Sequence, residues 1–167
     1  MKSKLSQAVK ERLKKKFCVR SFKQSDLDFW IACWDDYDDD DATRPSKNIL
    51  LRSWHILLSD NPTMLGFMLE DKATQKPIGF LHAIPHPSTW HDKDVCYVED
   101  AYIIPEYRNS SGFLVLYNEF INTAKNMGYE RVYWITRETN HRARRLYTRI
   151  SEETNWIRYE LELTSTE

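Results

Sequence analysis

Glycine is scarce in this chain, four residues in 167, and cysteine is scarcer, with three. So few glycines exclude collagen-like and Gly-rich low-complexity architectures, and they leave few places where the backbone turns freely into positive φ. Cys18, Cys33 and Cys96 cannot pair completely and none sits in a Cys-x-x-Cys arrangement. That argues against a disulfide framework or a zinc knuckle, and for a reducing, cytoplasmic setting. No stretch approaches about 18 consecutive apolar residues, and the N-terminus lacks the apolar core of about 7 to 15 residues that a signal peptide carries, so a soluble protein with no membrane partner is expected. Charge of one sign is lacking too. A formal net charge of −1 gives no global attraction to nucleic acid or to anionic membranes.

What is present is a patterned chain sized for one domain with a real core. Residues 1–16 carry seven basic residues with Leu5, Val9 and Leu13 at i+4 spacing, which predicts a short basic helix extending a single domain over 17–167. A solvated helix packing on its own domain explains it better than a nucleic-acid arm does. Phe17–Phe22 reads as a strand, and Ser25 offers an N-cap for a helix bearing Leu27, Trp30, Ile31 and Trp34. That helix runs into six aspartates between Asp35 and Asp41, either a solvated loop or a negative lip that draws polycations toward a cleft. Further on come a helix over 46–58, strands over 64–70 and 77–84, a strand over 131–136, a helix over 140–150 and a final alternating strand over 156–163.

The organising stretch lies between these. Val95–Ile104 is β-branched and aromatic with Glu99 and Asp100 in its middle; Pro105–Gly112 is rich in Pro, Asn, Ser and Gly; and Phe113, Leu116, Tyr117, Phe120, Ala124 and Met127 recur at helical spacing until Gly128 stops them. Strand, polar loop and helix in that order make an anion cradle, because the first turn of a helix points unpaired N–H groups outward with its dipole behind them. His82, His86 and His91 raise the question of a metal, but Pro85 and Pro87 flank His86, so His82 and His86 do not share a helical face and no metal site is expected.

Val98-Glu99-Asp100-Ala101-Tyr102-Ile103-Ile104-Pro105-Glu106-Tyr107-Arg108 and Asn140-His141-Arg142-Ala143-Arg144-Arg145-Leu146-Tyr147 resemble the GCN5-related N-acetyltransferase (GNAT) superfamily. Ser88-Thr89-Trp90 before the central strand, Tyr133-Trp134 and 154–159 are similar to its branch of diamine acetyltransferases and Hpa2-type histone acetyltransferases. The resemblance covers about residues 17 to 163 and implies an α/β GNAT fold of the mixed α+β kind. It implies about six to seven strands in a central mixed sheet flanked by about four helices, after the basic N-terminal helix. It also implies acetyl-coenzyme A as cosubstrate, a homodimer, and transfer of acetyl to a primary amine of polyamine, diamine or lysine type by direct attack in a ternary complex. The pantetheine arm is then expected along Ala101, Tyr102 and Ile103 with Asn140, and the pyrophosphate on Arg108, Asn109, Ser110, Ser111, Gly112 and Phe113.

The family pattern Arg/Gln-x-x-Gly-x-Gly/Ala meets a departure here, since Ser111 and Phe113 stand at the small-residue positions with Gly112 between them. Glycine serves such loops where backbone approaches phosphate or takes positive φ. A rival reading follows, a non-catalytic binding module on the same fold with a degenerate loop.

Acetyl transfer to an amine needs a neutral amine, a stabilised oxyanion and a protonated leaving thiolate. An alkylammonium has a pKa of about 10.4, so a base is required. Glu99 is the candidate base and Asp100 its partner or the substrate anchor. In a regular strand the two face opposite sides, and only a bulge brings both to one cleft. Tyr147 matches the family's general acid. Trp34, Asp35 and Trp90 are candidates for binding the cationic acceptor.

Overall fold

The computed structural model describes residues 7–37, 44–60 and 63–163; residues 38–41 of the acidic run and the first six residues lie outside that set. The chain divides into a larger unit, Leu5–Ile135, and a smaller one that includes Thr136–Glu167.

In the larger unit, five strands form one sheet in the order β1-β2-β3-β4-β5. They are β1 (Phe17–Arg20), β2 (Leu65–Asp71), β3 (Lys76–His86), β4 (Val95–Ile103) and β5 (Arg131–Trp134). Neighbours pair antiparallel from β1 to β4, whereas β4 and β5 run parallel. A parallel neighbour requires a crossover, and helix α4 (Gly112–Asn126) supplies it. Its length follows from its ends. Gly128, at φ 83°, takes the left-handed conformation that closes a helix, and Tyr129 N–H bonds back to the Ala124 carbonyl at 3.0 Å.

Helices cover the sheet on both faces. On one face α4 and α1 (Gln7–Lys16) pack Leu13, Leu116, Phe120 and Ala124 against Phe17, Leu69, Leu81 and Ala83. Lys72 ties α1 down, its backbone N–H bonding Lys16 O at 2.9 Å and its Nζ bonding Lys14 O at 2.7 Å. The basic helix therefore packs on its own unit. On the other face α2 (Leu27–Cys33) and α3 (Lys47–Leu57) bury Trp30, Trp34, Leu50 and Trp54 against Phe22, Met68, Phe80 and Tyr102.

Ser46 caps α3, accepting from Ile49 N–H at 3.4 Å. Ser25 does not cap α2. A 3-10 turn, Gln24–Asp26, precedes that helix, and the Asp26 carboxylate accepts the Lys23 N–H at 2.8 Å while Arg20 grips it with two N–H bonds of 2.7 and 2.9 Å.

The expectation of six to seven strands and four helices is corrected to five strands and five helices among the described residues. The smaller unit holds α5 (His141–Ile150), and residues 152–163 follow it outside any strand. The alternation over 156–163 suits a strand, but a strand also needs a neighbour to complete its hydrogen bonds. Trp156, Ile157, Tyr159, Leu161 and Leu163 are left between 75% and 90% exposed.

Candidate active site

The site begins with an irregularity. His82 pairs with Asp100 and the next β3 residue, Ala83, pairs with Val98, so Glu99 is an extra residue in β4. Such a bulge breaks the two-residue alternation of a strand. Val98 and Ala101 both pack on the aliphatic face, and the two residues between them, Glu99 and Asp100, both line a cavity of about 380 Å³ on the other. Two successive carboxylates thus reach one space, the arrangement that a regular strand forbids. The β4–β5 ladder ends at Val98↔Trp134, just before the bulge, so Ala101, Tyr102 and Ile103 lie beyond it.

Aromatic rings wall the cavity. Trp30, Trp34 and Tyr37 line it beside His82, Ile84 and Met64, together with Arg44 and Ile49. The i, i+4 spacing of Trp30 and Trp34 marked this side in the sequence; nothing there marked Arg44 or Tyr37. His82 is 1% exposed, its Nε2 is 3.1 Å from Trp30 Nε1 and its Nδ1 is 2.9 Å from Asp100 Oδ2. Asp35 is not on the cavity wall; it pairs with Arg44, which is. Trp90 is 78% exposed on the loop before β4 and is not among the cavity residues.

The neighbouring Asp36 links this wall to the polar loop. Its Oδ2 accepts from Tyr102 Oη at 2.6 Å and from an Arg108 guanidinium nitrogen at 2.6 Å, while Arg108 Nε donates to Ile103 O at 3.0 Å. Burial, and then the Asp36 hydrogen bond, push the Tyr102 phenol well above its ordinary range. Arg108 is therefore turned toward Asp36 and the Tyr102 ring, 5.5 Å from its centroid. The two partners are 72 positions apart, beyond the reach of any local pattern.

In the loop itself, Ser110 Oγ donates to Tyr107 O at 2.6 Å and accepts from Gly112 N–H at 3.3 Å, so its hydroxyl proton is directed into the turn. Ser111 adopts φ 65°, ψ 11° and makes no side-chain cap of α4. The serine at the family's glycine position thus takes the left-handed conformation glycine would supply. Gly112 answers a different demand: a Cβ there would lie 2.9 Å from Leu69 Cδ2. Phe113 lies along the helix, stacked on Tyr117 at 6.1 Å, and packs against the aliphatic core rather than standing in the loop. These features fit an anion cradle: α4 opens behind a backbone held in a glycine-like turn, with the Gly112 N–H taken by a side chain, that of Ser110.

In the smaller unit, Asn140 caps α5, its side chain accepting from Ala143 N–H at 3.2 Å and donating to Thr136 Oγ1 at 3.2 Å. Tyr147, on α5, has its phenol raised by burial. Elsewhere, burial pushes the Cys33 and Cys96 thiols up to about 12, so neither is a nucleophile near neutral pH. Among the described residues no cluster of three His, Cys, Asp or Glu side chains is placed to hold a metal ion, and no helix is long and apolar enough to cross a membrane.

The chain also has known relatives and structural neighbours. The model of the acetyltransferase (GNAT) family matches residues 19–151. A relative from Saccharomyces cerevisiae, D-amino-acid N-acetyltransferase HPA3, is 26% identical over 141 residues, which are 84% of this chain and 88% of the relative. A solved structure of AAC(6')-Iy bound to a coenzyme A bisubstrate analogue superimposes with a TM-score of 0.71 at 17% identity, covering 89% of this chain and 99% of that one. A possible acetyltransferase of Clostridium difficile 630 superimposes with a TM-score of 0.74, also at 17% identity and with the same coverage.

Proposed function

We propose, from the premise that the chain belongs to the acetyltransferase (GNAT) family, that it carries acetyl from acetyl-coenzyme A directly to a primary amine held in the cavity of Glu99 and Asp100. Members of this family are acetyl-coenzyme A-dependent N-acetyltransferases, and the cosubstrate supplies an activated acetyl thioester. One observation carries the assignment of roles: the β4 bulge sets two carboxylates against an aromatic wall, a surface suited to a cationic amine.

In this reading Glu99 takes a proton from the bound ammonium, whose nitrogen then attacks the acetyl carbonyl. Tyr147 gives its phenolic proton to the sulfur as the carbon–sulfur bond breaks, the proton shed by the nitrogen as the amide forms restores the phenol, and a phenol raised by burial holds its proton until it is needed. The family resemblance assigns the pantetheine arm to the backbone of Ala101, Tyr102 and Ile103 and, separately, to the side chain of Asn140. The pyrophosphate rests on Asn109, Ser110, Ser111, Gly112 and Phe113 at the start of α4, with Arg108 alongside.

For the acceptor, the diamine and lysine-type branch supports a compact alkylamine. A second reading is favoured by Arg44, which brings a guanidinium to the same cavity and suits an acceptor with a carboxylate near its amine. The substrate in the yeast relative's name, a D-amino acid, has that form. The structure also tempers the negative lip, since Asp35 and Asp36 each meet an arginine.

We extend the proposal to a homodimer in a reducing cytoplasm. The apolar side chains of 156–163 are exposed and β5 is the last strand of its sheet, so a second copy is the partner that completes both by reciprocal pairing.

Calorimetric titration with acetyl-coenzyme A, followed by acetyl-transfer assays on 1,4-diaminobutane and on D- and L-amino acids, tests the reading. Micromolar cosubstrate affinity is expected, about −8 kcal/mol, with turnover lost in Tyr147→Phe. No binding at millimolar cosubstrate would overturn it.

A further inference from the structure

We propose that His82 is a positioning residue of the acceptor cavity: it holds Asp100 as a fixed, uncancelled anion for the acceptor's ammonium group, leaving proton transfer to Glu99. This rests on the acetyltransferase reading and divides the work between the two carboxylates.

The imidazole has no freedom to turn. It is stacked on Phe80 at 4.7 Å and on Trp34 at 6.3 Å, with the rings of Phe22 and Trp30 at 5.6 and 5.8 Å. Its two nitrogens meet partners of opposite character. The Trp30 indole, 0% exposed, has an N–H and no lone pair to offer, so His82 Nε2 must accept across the 3.1 Å contact. The single proton of the neutral ring therefore sits on Nδ1 and is donated to Asp100 Oδ2 at 2.9 Å. A second proton would set two N–H groups head to head at 3.1 Å. Trp30 thus turns the Nδ1 donor toward Asp100.

The neighbouring acids show what this achieves. Asp26 and Glu70 meet Arg20, Asp35 meets Arg44 and Asp36 meets Arg108. Each is paired with a guanidinium, Arg20 serving two of them. Asp100 is oriented by its hydrogen bond to His82, meets no guanidinium among the described residues, and faces a cavity walled by Trp30, Trp34 and Tyr37. A carboxylate held still but not neutralised is what a cationic acceptor requires, since its own charge then completes the pair.

The test combines nitrogen NMR of the whole protein with steady-state kinetics. In the wild type, His82 should show the Nδ1–H tautomer, and its signals should move on titration with 1,4-diaminobutane but not with 1,4-butanediol, which has the same length and no charge. His82→Phe, which keeps a ring and removes the donor, should raise KM for the diamine about 10- to 100-fold with a smaller change in kcat and unaltered acetyl-coenzyme A affinity. His82→Asn, which keeps a donor near the Nδ1 position, should recover most of the loss. An Nε2–H tautomer, a diamine that leaves His82 unmoved, or equal losses in both variants would overturn the proposal. Should His82→Phe fail to fold, the wild-type NMR titration decides alone. A protein that binds diamine at His82 but not acetyl-coenzyme A would uphold this inference while sinking the acetyltransferase reading.

Discussion

The two faces of the sheet are built from different materials. Under α1 and α4 the core is largely aliphatic, closed by Leu13, Leu69, Leu81, Leu116 and Ala124 around Phe17 and Phe120. Under α2 and α3 it is aromatic, and it carries polar groups: His82 and Asp26 are buried there, and the indole nitrogens of Trp34 and Trp54 are buried with no hydrogen-bond partner among the described residues. An aliphatic face is stabilised by area and fit alone. On the aromatic face His82 is answered by Trp30 and Asp100 and Asp26 by Lys23 and Arg20, and where α2 begins it is pinned by Arg20 between Asp26 and Glu70. One face holds the protein together while the other provides a place for chemistry.

That contrast can be broken or sharpened by experiment. The largest effect is expected at Glu99→Gln, which should lower kcat about 10²- to 10⁴-fold in an acetyl-transfer assay while shifting stability by less than about 0.5 kcal/mol. A comparable loss of stability would show that the chemical face is also structural. Phe120→Ala, on the aliphatic face, should cost about 3–5 kcal/mol in urea unfolding, with KM for the amine unchanged in the folded fraction.

Acid should act on the aromatic face. The hydrogen bond from Arg20 holds the Glu70 carboxyl below its ordinary value of about 4.3. A depressed folded-state pKa contributes stability that is full above the unfolded value and disappears as pH falls through the folded one. Thermal unfolding from pH 7 to pH 3 should therefore fall less steeply in Glu70→Gln than in the wild type, and parallel curves would refute the coupling. The smallest effect concerns Ser111. Glycine takes its φ of 65° without strain, so Ser111→Gly should raise stability by about 1 kcal/mol or less and leave acetyl-coenzyme A affinity intact by calorimetry.

Local periodicity made most of the fold legible. The 3.6-residue repeat of α4, its Gly128 stop and the strands around the central stretch need only the nearest residues to be read. Segment 156–163 was misread because alternation records which side of a strand would be buried, and does not record whether a neighbouring strand exists. The candidate site was half legible. Consecutive acids in an apolar strand announced themselves, and a bulge was the one device that could use both. The pairing of His82 with Asp100 depends on strand register, and the Asp36–Arg108 contact depends on tertiary placement, so neither leaves a local trace. The serine at a glycine position read as a defect; backbone geometry shows it adopting glycine's conformation.

The bulge has one more consequence. Counting along β4, even-numbered residues face the aliphatic core up to Val98 and odd-numbered ones do so from Ala101. Take Glu99 out, and the count closes up: Val98, Asp100 and Ala101 follow one another in plain alternation, each still on its present side and opposite its present partner. Neither core requires this residue for its register. The sheet would be as continuous without it, and the side chain assigned to the chemistry is the one the architecture can spare.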